Sequence, residues 1–227
     1  MTDVDPRRFD LTVEQAIAQQ QALRSRVVLA PPPGFAPRLV AGLDVSMERF
    51  GDVGYAGIVV LEQPGLRTVD EASAVAPLRF PYVPGLLSFR ELPLIVDVWD
   101  RLRTRPDVLI FDGQGIAHPR RFGIACHGGV LFGVPSIGCA KSILVGRHGT
   151  LGAERGSRAP LEHRGEIVGM AVRLRDRVNP VYVSPGHLVD LETAVDVVLA
   201  ASAGYREPET TRRAHRLVNE ERRKAKS

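Results

Sequence analysis

Three strand-like runs follow one another between Leu39 and Ala76: Leu39–Met47, Tyr55–Leu61 and Arg67–Ala76. Gly51 and Gly54 punctuate the first gap, and Pro64 and Gly65 the second. Glycine and proline at such spacing close hairpins, so these runs predict an antiparallel meander. A different pattern follows. Asp107–Phe111 is a short apolar run after Pro106, with the character of a buried strand. A helix of small residues comes next, opened by Pro119 and containing Gly123, Ala125 and Cys126. Pro135–Ala140 then reads as another strand. Strand, helix and strand in that order make a crossover, which implies parallel pairing.

The flanking segments fit around this frame. Asp10–Leu29 reads as a helix, with Thr12 and Gln15 as a capping box and a stop at Pro31, Pro32 and Pro33. A second helix is expected from about Glu91 to Arg103. Leu92, Ile95, Val98, Trp99 and Leu102 form its buried face, with Pro93 tolerated in the first turn. Residues 146–166 are rich in glycine and charge and predict an exposed loop. Strands are expected at Ile167–Leu174 and Val181–Ser184, a helix at Leu188–Ala200, and a last helix from near Pro208. A meander followed by parallel strands and helices is the order of a ribonuclease H-like α/β domain, a mixed sheet flanked by helices. We expect one domain over residues 1–227, with about 218–227 as a disordered basic tail.

A chain of this length buries about 70% of its unfolded surface, so it needs no cross-link to fold. Cys126 and Cys139 match no CxxC pattern, which points to a reducing compartment. No apolar run approaches the roughly 18–20 residues of a membrane span. The first ten residues carry Asp3, Asp5 and Asp10 and lack the apolar centre of a signal peptide. The expectation is a soluble cytoplasmic protein, monomeric and without a membrane partner.

The net charge of +4 says more once located. Residues 206–227 hold eight Lys or Arg against four Asp or Glu, while the first 205 hold 22 of each. Residues 113–150 contain Arg120, Arg121, Lys141 and Arg147 and no acid. A basic stretch of this kind suits a surface that receives an anion, although a basic terminus also serves solubility alone. Of 30 basic residues only three are lysine, and Lys141 is the only one before residue 224. A compact ammonium fits a crowded site that guanidinium does not, though a lone surviving lysine can also be incidental.

Two carboxylates stand out. Asp44 lies within an apolar strand and shares a face with Val40, Gly42 and Ser46. A carboxylate there is costly unless it is paired, binds metal or faces solvent at the strand end. Asp112 ends the run Val108–Phe111 and precedes Gly113, Gln114 and Gly115. The carboxyl end of a parallel strand is where open α/β sheets place ligands, though an aspartate there can also cap the turn. Two carboxylates at neighbouring strand ends suit Mg²⁺, which keeps several waters and is completed by a phosphate. The glycine pair does not extend to a dinucleotide loop, because Ala117 and His118 fill the stretch where its third glycine belongs. Glu91 either complements the helix dipole or adds a ligand. His215, among Arg212, Arg213 and Arg216, is either solvated or a ligand or acid–base group. His118 could cap a helix, orient Asp112 or touch phosphate. His187 could bind phosphate at a helix start or act as a structural cap.

These residues fall in six ordered motifs: Ala41–Ser46, Pro81–Glu91, Asp112–Arg120, Gly138–Ser142, Val183–His187 and Thr211–His215. With them the chain resembles endonuclease V, the deoxyinosine-directed endonuclease family, across most of its length. The resemblance implies Mg²⁺-dependent cleavage, with Mn²⁺ substituting. The implied cut is at the second phosphodiester 3′ of deoxyinosine, leaving 3′-hydroxyl and 5′-phosphate. It implies Asp44 and Asp112 as principal metal ligands, with Glu91 and His215 completing the set; some relatives carry Asp where this chain has His215. Lys141 is implied at the reacting phosphate. Pro81, Tyr82, Val83 and Pro84 are implied as a strand-separating wedge led by Tyr82. Gly85, Leu87, Gly113, Ile124 and Gly138 are expected to form the base pocket. His118, Arg120, Ser142, His187 and Arg212 are expected to support the site or contact phosphate. The implied partner is deoxyinosine-containing DNA, single- or double-stranded, and inosine-containing RNA is a further candidate. Another ribonuclease H-like nuclease, acting on inosine-containing RNA or branched DNA, is the alternative enzyme. A nucleic-acid-binding module without catalysis is argued against by the intact acids Asp44, Glu91 and Asp112.

Overall fold

A computed structural model describes residues 4–47 and 52–225. Gly51 of the first expected hairpin, Asp3, Lys226 and Ser227 lie outside the described residues. Among the described residues eight strands form one mixed sheet. The meander is β1 (Leu39–Met47), β2 (Val53–Glu62) and β3 (Arg67–Pro77), paired antiparallel. β4 (Val108–Phe111) runs parallel to β1, and β5 (Ser136–Ala140) parallel to β4. This is the ribonuclease H-like mixed sheet. The rest of the sheet is antiparallel: β6 (Arg158–His163) pairs with β7 (Glu166–Val172), and β7 with β8 (Val181–His187), which closes onto β5.

Among the described residues five α-helices flank the sheet: α1 (Val13–Leu23), α2 (Leu87–Arg101), α3 (Ile124–Phe132), α4 (Leu191–Ala200) and α5 (Glu209–Lys224). Alternation along the strands divides the core. Val40, Val108 and Ile110 belong to one cluster with Val195 and Val198 of α4. Ala41, Leu43, Leu109 and Phe111 belong to another with Leu92, Ile95, Val98 and Trp99 of α2. Burying each such side chain contributes roughly 1.5–3 kcal/mol, so both faces of the central strands are strongly fixed.

Several expected boundaries move. Thr12 and Gln15 make the capping box, but α1 ends at Leu23 and a 3₁₀ turn, Arg24–Arg26, replaces the expected helix to Leu29. α2 begins at Leu87, so Glu91 lies in its second turn and Pro93 inside the helix. Pro119 precedes α3 rather than opening it; the helix starts after Gly123. Leu188 has φ 51°, outside helical space, and α4 starts after its cap Asp190. The expected loop at 146–166 contains β6, an edge strand. Pro160 and its exposed charges hide the pattern, and edge strands tolerate both. β8 continues past Ser184 to His187. Where a disordered tail was expected from about 218, α5 stays helical through Lys224, because Val218 is buried against β2.

Two glycines seat α5 on the sheet. A Cβ on Gly42 would stand 2.1 Å from the Thr210 backbone carbon, and one on Gly57 would stand 2.9 Å from Val218. The start of α5 therefore lies directly on β1, on the face that carries Asp44.

Candidate active site

In the parallel pair of β1 and β4 the last matched residues are Leu43 and Phe111. The residues that follow are Asp44, still within β1, and Asp112, the first residue past the end of β4. Strand register alone thus places two carboxylates side by side. Both face a cavity of about 160 Å³ whose wall also includes Glu91, Ile95 and Ile124. Glu91 reaches it from α2. His215 reaches Asp44 from α5, with Nδ1 3.0 Å from Oδ2. The Lys141 ammonium, one residue beyond β5, lies 2.7 Å from Asp112 Oδ2 and 3.1 Å from Glu207 Oε2.

The charges strain against one another. Burial holds the Asp44 carboxyl above its ordinary value and Asp112 adds to this, while His215 opposes it. Glu91 is raised well above its ordinary value, first by burial and then by Asp44 and Asp112. Burial alone would lower the Lys141 ammonium, but its hydrogen bond to Asp112 and the charges of Asp112 and Glu207 raise it. Lys141 therefore stays charged.

Among the described residues no three His, Cys, Asp or Glu side chains are gathered into a ready-made cation cage. Mg²⁺ does not require one, since one or two carboxylates, waters and a substrate phosphate suffice. Three hard oxygen donors around one cavity, with Asp44 and Glu91 held above their ordinary values first by burial and then by neighbouring carboxylates, fit such an ion. Asp44 and Asp112 are placed to hold it, with Glu91 across the cavity.

Beside this cavity opens a second of about 280 Å³. Gly85, Leu87, Gly113 and Ile124 line it, together with Asp112, Lys141 and Ser142. Tyr82, Val83 and Pro84 stand at its edge, and Tyr82 is 70% exposed. Pro81 lies outside this lining, on the wall of another cavity behind the loop. Gly138 is absent from this lining too. A Cβ there would meet the Gly115 amide nitrogen at 2.3 Å, so it lets β5 pack beneath the 113–115 turn.

The expected supporting residues divide. His118 is buried and does not contact Asp112 or reach a helix start. Its Nε2 is 2.9 Å from the Gly85 carbonyl, and its Nδ1 accepts from the Arg120 amide at 3.2 Å. Burial pushes its pKa down to about 4, so the ring is neutral and Nε2–H donates. Arg120 donates to the same carbonyl at 2.7 Å and to Gln20 Oε1 at 2.6 Å. His118 and Arg120 thus latch the Tyr82 loop. Gly85 has φ 80°, and a Cβ there would stand 3.0 Å from Arg120, so glycine suits both conformation and space. His187 pairs with Ser136 at the opposite end of β5 from Lys141 and accepts from the Val28 amide at 3.2 Å. Arg212 is engaged by Glu209 through two bonds of 2.7 Å and lies over the Tyr205 ring. Ser142 is exposed at the pocket rim, and its carbonyl accepts from Gln114.

Three contributors escaped the sequence. Ser184 Oγ accepts from the Gly115 amide at 2.8 Å and ties the turn after Asp112 to β8. Gln20 donates to Gly85 and Phe122, but nothing distinguishes it from its neighbours Gln19 and Gln21. Glu207 meets Lys141 across 66 positions of sequence, a contact that no local pattern encodes.

The Endonuclease V family profile matches residues 21–216. A curated Endonuclease V from Myxococcus xanthus is 65% identical over 212 residues, 93% of this chain and 90% of that protein. The crystal structure of an Endonuclease V from Streptomyces avermitilis superposes with a TM-score of 0.89 at 46% identity, covering 96% of each chain. A Ciona intestinalis Endonuclease V, solved with a 24mer DNA containing an inosine followed by a ribo-adenosine, superposes with a TM-score of 0.82 at 26% identity. It covers 94% of this chain and 98% of that one.

Proposed function

The chain belongs to the endonuclease V family, and on that premise we propose that it is a divalent-metal-dependent endonuclease that nicks DNA at deoxyinosine. The cut falls at the second phosphodiester on the 3′ side and leaves 3′-hydroxyl and 5′-phosphate. The observation that carries this reading is the register of β1 and β4. It sets Asp44 beside Asp112, next to a pocket edged by the exposed Tyr82.

Each side chain then has a task. Asp44, Asp112 and Glu91 hold Mg²⁺, with Mn²⁺ as a substitute. When bound, the ion lowers the pKa of water and offsets charge developing on the phosphate. His215 keeps the Asp44 carboxylate oriented, 3.0 Å away. Lys141 sets a fixed positive charge beside the phosphate. Drawing a base out of the stack costs a few kcal/mol, least for a mispaired base such as inosine. Tyr82, on a loop stiffened by Pro81 and Pro84, fills the gap and recovers part of that cost by stacking. His118 and Arg120 hold the loop in place through Gly85. Hypoxanthine presents an acceptor at O6 and a donor at N1, the reverse of adenine. A pocket of fixed backbone groups therefore rejects adenine by leaving buried polar atoms unpaired.

End-labelled duplexes that are identical except for one deoxyinosine test this directly. One Mg²⁺-dependent nick in the deoxyinosine strand, abolished by EDTA, is expected. Equal cutting of the control duplex would overturn the proposal. The Ciona complex, with its ribo-adenosine after the inosine, favours a second reading in which inosine-containing RNA is also cut. The same assay on a strand with a ribonucleotide at that position decides it.

A further inference from the structure

Lys141 stands between two carboxylates, and only one of them has a role so far. Its ammonium lies 2.7 Å from Asp112 and 3.1 Å from Glu207. Glu207 sits two residues before α5. Its neighbour Arg206 donates from Nη2 to the Lys141 carbonyl at 2.7 Å. That bond fixes the Lys141 backbone to the segment bearing Glu207, so backbone and side chain are both tied to the approach to α5. The side chains of Lys141, Asp112 and Glu207 are 36%, 22% and 28% exposed, so the ammonium has room to move without disturbing the core.

An ammonium and a divalent cation compete for Asp112. Two positive charges sharing one carboxylate repel strongly in a partly buried site. Without another seat, the ammonium would be expelled to solvent as the ion bound, or would weaken ion binding by staying. A second carboxylate within 3.1 Å removes that choice. We propose that Glu207 is a positioning residue that receives the Lys141 ammonium when a divalent cation takes Asp112, and so keeps both positive charges in the site. This inference rests on the reading of Asp112 as an ion ligand.

Calorimetric titration of the full chain with Ca²⁺ tests it without turnover. The proteins are wild type, Glu207→Gln, Glu207→Asp, Lys141→Met, and Lys141→Met combined with Glu207→Gln. In the wild-type background Glu207→Gln should weaken binding about three- to tenfold, while Glu207→Asp, which keeps the charge, stays within about twofold. Lys141→Met removes the competing ammonium, so in that background Glu207→Gln should have no further effect. An equal loss in both backgrounds would mean that Glu207 acts on the ion directly and would overturn the inference. So would an unchanged affinity in Glu207→Gln. Wild type that binds no cation would overturn the ion-site reading itself, an outcome distinct from the other two.

Discussion

A carboxylate inside an apolar strand destabilises the ion-free protein, and Asp44 has this liability by position. Burial and Asp112 hold it above its ordinary value, as burial and both aspartates hold Glu91. The folded state therefore keeps protons that the unfolded state releases. Stability falls as pH rises from the ordinary carboxylate range through the raised values. Asp44→Asn should consequently unfold about 2–4 °C higher than wild type at pH 7 without divalent ions. The difference should vanish where both carboxyls are protonated, and nicking should drop by a factor of about 1,000 or more. Thermal scans with EDTA, paired with the nicking assay, check both halves. Asp44 was legible because a charge in an apolar run needs an explanation. Glu207 was not, since its partner lies far away in sequence.

At the scale of elements, the site depends on how α5 and the Tyr82 loop are seated. Gly42→Ala would drive a methyl into the Thr210 backbone. The cost should be about 1–3 kcal/mol of stability, with nicking reduced because His215 is carried away from Asp44. Denaturant melts and initial rates measure the two effects. The loop is held by His118, Arg120 and Gln20 converging on the Gly85 carbonyl. His118→Ala should raise KM for deoxyinosine duplex more than it lowers kcat, because it loosens the wedge and leaves the carboxylates in place. An unchanged KM would count against the latch. The meander, β4 and β5 were readable from hairpin residues and apolar runs. β6 was not, because an edge strand with one proline carries little periodic signal. The start of α2 was missed because Leu87 and Ser88 follow a Pro-Gly turn without a capping side chain.

Over the whole molecule, charge and protonation set the working conditions. His118 and His127 are buried and both pushed down to about 4, in each case first by burial. Their unfolded counterparts take up protons near 6.5, so stability is lost as pH falls from about 6.5 toward 4. Thermal scans across that window should show a shallower loss for His127→Asn than for wild type, once both are referenced to their values at pH 7.5. The net charge of +4 is concentrated in the terminal segment, with an acid-free run from Gly113 to Thr150 beside Asp112. Single-turnover nicking of a deoxyinosine duplex by wild type, Asp44→Ala and Asp112→Ala across a Mg²⁺ titration tests most directly whether the two aspartates brought level by β1 and β4 form an ion-dependent hydrolytic centre. Nicking should rise with Mg²⁺ in wild type and be absent from both variants while duplex binding persists. Mg²⁺-dependent nicking at the wild-type rate by either variant would contradict that reading.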